Sequence, residues 1–143
     1  MKRSPHLRRL SVEHQTALSY ASRLERAAHA APLSELASWA TKLAQYWQAE
    51  LEPHFATEEN IWLPALAGAG LRELTERTID EHRALAALAL RSGMPLRERL
   101  ARFATLLQSH VRFEERELFE AAQRALTESE LEALALSMDA PAD

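Results

Sequence analysis

The stretch His54-Phe55-Ala56-Thr57-Glu58-Glu59-Asn60-Ile61-Trp62-Leu63-Pro64 decides how the rest of the chain is read. His54 and Glu58 are four residues apart, so on a helix they stand on one face and can both reach a single ion. The pattern returns at His110-Val111-Arg112-Phe113-Glu114-Glu115-Arg116-Glu117-Leu118-Phe119. His14 and His82 have no glutamate four residues on, but each directly follows one, Glu13 and Glu81. The order along the chain is therefore His alone, His with Glu, His alone, His with Glu.

The rest of the sequence supplies helices to carry that order. With 143 residues and 47% hydrophobic content, the chain suits one compact domain with its own core. Three glycines and an abundance of Ala, Leu, Glu and Arg argue for an all-α protein. A net charge of −4, with acids and bases mixed throughout, argues against a nucleic-acid partner. Lys2, Arg3, Arg8 and Arg9 are not followed by the apolar run of a signal peptide, and no segment approaches the roughly 18 apolar residues of a membrane span. Without cysteine there is no thiolate ligand and no disulfide frame. The expectation is a cytoplasmic protein, monomeric or weakly dimeric, with no membrane partner.

Residues 1–9 read as a loose arm and 10–138 as one domain. A stripe of Leu10, His14, Ala17, Leu18, Ala21 and Leu24 predicts a first helix to about residue 31, stopped by Pro32, with Ser34 placed to cap the next. The second runs from about 33 to 67 and should kink at Pro53, which lacks a backbone donor. Gly68-Ala69-Gly70 stops it. A third helix covers about 71–90 and a fourth about 96–125. Thr127-Glu128-Ser129-Glu130 is a capping box opening a short fifth, about 128–137, before a frayed tail, 139–143. Short turns between four long helices predict an up-down-up-down four-helix bundle with a short fifth C-terminal helix. The repeated histidine order predicts a pseudo-twofold axis through a central site.

A single histidine on an apolar helical face is usually an ordinary core residue with a hydrogen-bond partner. Four imidazoles and two carboxylates converging in one core are different, because unpaired buried charge carries a heavy desolvation cost. His14, His54, Glu58, His82, His110 and Glu114 are thus candidate metal ligands. Six nitrogen and oxygen donors without sulfur exceed one tetrahedral zinc, and two carboxylates suit a pair of ions about 3.5 to 4 Å apart. Imidazole with carboxylate suits iron, with manganese and zinc as alternative occupants. Glu-x-x-His, the ligand pattern of ferritin-like di-iron bundles, is missing.

The order His14, His54-x-x-x-Glu58, His82, His110-x-x-x-Glu114 resembles the hemerythrin family in its HHE cation-binding branch, over about residues 10–125. The resemblance implies a four-helix bundle around two iron ions, ligated by those six residues with Glu58 and Glu114 bridging. Two departures separate the chain from oxygen-carrying hemerythrins. These have a further histidine on the third helix, where Thr78 and Ala86 flank His82. They close the site with His-x-x-x-x-Asp, where this chain offers Glu114 at four and Glu115 at five. Four residues turn a side chain by about 40° and five by about 140°, which favours Glu114.

Other polar residues take lesser parts in this reading. Glu13 and Glu81 are expected at the surface, Glu59 and Glu115 as solvated neighbours or outer partners, and Glu50 as a candidate hydrogen-bond partner of His54. His6 lies in the arm, and His29 is about 22 Å along the first helix from His14. The function expected is reaction with, or binding of, a small oxidant, namely dioxygen, peroxide or nitric oxide. Peroxide disproportionation is favoured; an oxygen- or iron-sensing module and a metal-free interaction bundle are the alternatives.

Overall fold

The computed structural model describes residues 1–91 and 93–139. Helix α1 spans Arg8–Ala30. Helix α2 is a continuous run of Leu33–Tyr46, Trp47–Leu51, Glu52–Thr57, Glu58–Trp62 and Leu63–Gly68, and α3 spans Arg72–Leu90. Helix α4 joins Leu96–Phe113, Glu114–Leu118 and Phe119–Ala125, and α5 spans Glu128–Met138. The protein is all-α, a four-helix bundle with a short fifth helix, and α4 packs along both α1 and α3. No helix among the described residues is long and apolar enough to cross a membrane.

The termini of the helices follow from local chemistry. Thr127 Oγ1 accepts from the Glu130 amide at 3.1 Å while the Glu130 carboxylate accepts from the Thr127 amide at 2.9 Å, the reciprocal cap expected from the sequence. Ser34 does not cap α2, because the chain already turns helical at Leu33, behind the extended Pro32. At the end of α2 the Leu71 amide reaches the Leu66 carbonyl at 2.9 Å and the Gly70 amide reaches the Ala67 carbonyl at 3.1 Å. That paired closure puts Gly70 at φ +96°, open to glycine and costly for any side chain.

The helix runs through Pro53 without a break. Ahead of it, Trp47–Leu51 widens into a π-helical turn in which the Glu52 amide bonds the Trp47 carbonyl five residues back. A second such turn, Glu58–Trp62, stands ahead of Pro64, and a third, Glu114–Leu118, has no proline after it. Widened turns absorb a missing donor without ending the helix, and they commonly occur at functional sites. The last two begin at the glutamates of the two His-x-x-x-Glu motifs.

Within the first nine residues, expected to be a loose arm, Ser4 and Leu7 are buried while Met1, Lys2, Pro5, Arg8 and Arg9 stay exposed. Pro5–Leu7 forms a 3₁₀ turn capped by Ser4, whose side chain accepts from the His6 amide, and Leu7 is fully buried. Of the expected tail, 140–143 lie outside the described residues, and Asp139 pairs with Arg9 at 3.2 Å.

Two apolar layers fill the bundle. One contains Tyr20, Leu24, Leu43, Trp47, Leu51, Leu85, Phe103 and Leu107; the other contains Leu7, Leu10, Trp62, Leu66, Phe113, Leu118, Phe119 and Leu131. The polar residues lie where the layers meet: His14 comes between Leu10 and Ala17, and His110 between Leu107 and Phe113. Gly70→Ala is expected to lower stability by on the order of 1 kcal/mol without moving the polar layer, measured by urea unfolding of the metal-free chain.

Candidate metal centre

The fold brings all six candidate residues to one place. His14 comes from α1, His54 and Glu58 from α2, His82 from α3, and His110 and Glu114 from α4; none is more than 6% exposed. One donor atom each from His14, His54, Glu58 and Glu114 lie within 4.8 Å of one another, and so do those of Glu58, His82, His110 and Glu114. Both carboxylates belong to both groups. His14 Nε2 is 2.9 Å from Glu114 and His110 Nε2 is 3.3 Å from it, while His82 Nε2 is 3.2 Å and His54 Nε2 3.5 Å from Glu58. His6, against Glu128, and the exposed His29 are not part of it.

The outer face of every imidazole is also occupied, by a carboxylate from another helix. His14 Nδ1 meets Glu115 at 2.6 Å, His54 Nδ1 meets Glu13 at 2.7 Å, His82 Nδ1 meets Glu59 at 2.8 Å and His110 Nδ1 meets Glu81 at 2.7 Å. The four links close a ring, from α1 to α4, α4 to α3, α3 to α2 and α2 back to α1. Glu13 and Glu81, expected at the surface, are therefore half of the outer support. Glu50, a candidate partner of the His54 ring, is exposed, and Glu13 takes that place. The sequence held the signal as doublets: Glu13-His14, Glu58-Glu59, Glu81-His82 and Glu114-Glu115 each send one residue inward and one glutamate sideways.

These links test whether a cation fits. A carboxylate accepts only, so each Nδ1 carries the proton, and the Nε2 lone pairs of the neutral rings face inward. There, His82 Nε2, His110 Nε2, both oxygens of Glu58 and Oε2 of Glu114 are buried without a hydrogen-bond partner. His14 Nε2 and His54 Nε2, two acceptors in this tautomer, stand 3.2 Å apart. Orphaned buried acceptors pointing at one another are the arrangement a cation satisfies. The residues fit a metal.

Without metal, protons take its part. Burial depresses the His14 imidazole, but its hydrogen bonds to the Glu114 and Glu115 carboxylates outweigh it and raise its pKa to about 9. Burial is likewise outweighed at His110, where the Glu114 charge and then Glu81 bring it up to about 9. At His82 burial wins and the pKa falls to about 4. Burial beside Glu114 holds the Glu58 carboxyl well above the ordinary carboxylate range. Glu114 stays well below it, because His110, Glu58 and His14 together overcome its own burial.

The surroundings are aromatic. Phe119 lies parallel to the His14 ring at 5.4 Å, and Phe55 stacks on His82 at 3.9 Å. A cavity of about 60 Å³ reaches the His14 and His54 side, walled by Ala17, Tyr46, Leu51, Phe55, Leu107 and Val111, with Glu13 and Glu50 also lining it. Thr78 is fully buried and donates its hydroxyl to the Leu74 carbonyl at 2.8 Å, so it turns no donor inward.

Two outcomes follow from the ring and the protons. Removing one outer carboxylate, as in Glu81→Ala, should weaken divalent-cation affinity about 10- to 100-fold in a chelator competition, with the fold retained in circular dichroism. In the metal-free chain, His14 and His110 have pKa values raised from 6.5 to about 9. Their stabilising contribution is complete below the unfolded value of 6.5 and is lost as pH rises through about 9. The melting temperature of the metal-free chain should therefore fall across that window, and a flat profile would count against charged imidazoles at these positions.

Comparison with known families agrees with the geometry. The sequence profile described as "Hemerythrin HHE cation binding domain" matches residues 6–122, a span that contains all six inward residues and all four outer glutamates. Searches among curated proteins and solved structures give no match. A match over most of the length, together with buried His/Glu groups able to hold a metal, places this chain in the hemerythrin HHE cation-binding family.

Proposed function

We propose that this chain is a non-haem di-iron protein that reacts with a small oxidant, with peroxide disproportionation favoured over reversible oxygen binding. One observation carries the dinuclear reading: Glu58 and Glu114 belong to both donor groups, so two ions would share them. His14 and His54 would complete one position, His82 and His110 the other. Iron is the occupant best suited to imidazole and carboxylate donors without sulfur. When bound, two irons supply a two-electron couple, enough to oxidise one peroxide to dioxygen and reduce a second, with two protons, to two waters.

The chain's own residues set the conditions for that chemistry. Only two imidazoles serve each position, since Thr78 turns away and Ala86 carries no donor, which leaves room for exchangeable ligands. The cavity walls of Leu51, Phe55, Leu107 and Val111 exclude bulk water from the His14 and His54 side. Glu13 lines the same cavity, accepts from His54 Nδ1 and is 41% exposed, so its carboxylate can pass a proton between solvent and the cavity. The small, partly enclosed volume also has room for a diatomic molecule, which supports the second reading, a binding or sensing module.

Anaerobic reconstitution with iron followed by elemental analysis should give two ions per chain. Added peroxide should then evolve oxygen faster than free iron, and Glu58→Ala should cut that rate roughly tenfold or more. One ion or none per folded chain would remove the dinuclear reading. A long-lived oxygen adduct reversed by vacuum, without peroxide turnover, would favour the binding module.

A further inference from the structure

We infer that Arg3 is a positioning residue for the metal centre, acting through His14. The inference rests on His14 being a ligand, and it gives the packed N-terminal segment a task besides covering the core. Three groups of α4 hold the His14 ring: Glu114 at Nε2, Glu115 at Nδ1 and Phe119 against its face. Arg3 touches two of the three. Its guanidinium pairs with the Glu115 carboxylate at 3.5 Å, donates to the Glu115 carbonyl and lies over the Phe119 ring at 5.4 Å.

A guanidinium suits this arrangement, because its two terminal nitrogens fork onto Gln123 and onto the Glu115 oxygens while its face covers an aromatic ring. Arg3 is itself held by Gln123 at 2.8 Å and Glu120 at 3.7 Å. The segment is anchored separately, through buried Leu7, the Ser4 cap and the Ser4 contact to Glu128. Losing the guanidinium therefore need not release the segment. Two other outer glutamates also meet an arginine, each on its own helix: Arg77 donates to Glu81 at 3.0 Å and lies over Phe113 at 3.9 Å, and Arg9 pairs with Glu13 at 3.8 Å. Glu59 has no arginine against it among the described residues, and it is 39% exposed. Arg3 differs from Arg9 and Arg77 in reaching its glutamate from outside the helix that carries it.

Without Arg3, Glu115 keeps only the Ser11 hydroxyl, at 2.8 Å, and His14 itself as partners, and Phe119 loses its cover, so two of the three groups that hold His14 are loosened. The probe is iron(II) on the full chain, removed by an excess of chelator without oxygen. In Arg3→Gln, one of the two ions should leave about ten times faster than in wild type while the other keeps its rate. Arg3→Lys should recover part of the difference, keeping charge but not the fork. Independently of metal, exchange of the His14 Nδ1 proton with solvent, followed by nitrogen-15 NMR, should speed up in Arg3→Gln while that of His82 does not. Ser4→Ala, which weakens the segment but spares Arg3, should lower the melting temperature and leave both release rates alone.

Unchanged release and unchanged His14 exchange in Arg3→Gln would overturn the inference, as would equal acceleration by Ser4→Ala. A wild-type chain that takes up no iron would instead defeat the reading of the site as a metal centre. The proton exchange would then still decide whether Arg3 positions His14.

Discussion

Everything in this bundle depends on satisfying four buried imidazoles from both sides at once. An imidazole has two nitrogens that cannot both be left bare in an apolar core. The chain answers the outer one with a glutamate from a neighbouring helix, at 2.6 to 2.8 Å in all four cases. This fixes the proton on Nδ1, turns the Nε2 lone pairs inward and leaves the inner acceptors short of partners. Affinity for a cation is thus a consequence of how the outside of the ring was closed.

That closure sets the helix geometry too. To send Glu58 inward and Glu59 sideways, adjacent residues on one helix must serve different partners, and the same holds for Glu114 and Glu115. Both pairs stand at the start of widened turns, where a fifth residue is accommodated before the hydrogen-bond ladder resumes. On α1 and α3 the doublets are reversed, with glutamate first, and no widened turn is present. The two kinds of helix alternate around the axis.

Most of the architecture was legible in the sequence because apolar periodicity and a few stop residues say where helices run. The stripes around His14 and His110, the capping box at Thr127 and the stop at Gly68-Ala69-Gly70 each have a local cause. The convergence of the six inward residues was legible for the same reason: four-residue spacing puts them on core-facing stripes. What escaped was set between helices. Glu13 and Glu81 sit off the inner face of their own helices, and only the packing angle of the neighbour brings His54 and His110 to them. Pro53 signalled a local irregularity, but not that the backbone would take up the lost donor by widening the preceding turn. The order of residues 1–9 likewise comes from partners more than a hundred positions away, Gln123 and Glu128 among them.

The ring of glutamates divides evenly between the two helical hairpins. Two of its links, His54 to Glu13 and His110 to Glu81, lie within one helix pair; the other two cross between pairs. A lone helical hairpin carrying one histidine-only helix and one His-x-x-x-Glu-Glu helix holds one complete link and two loose ends. Set against a copy of itself about the axis, the loose ends meet and the circle closes.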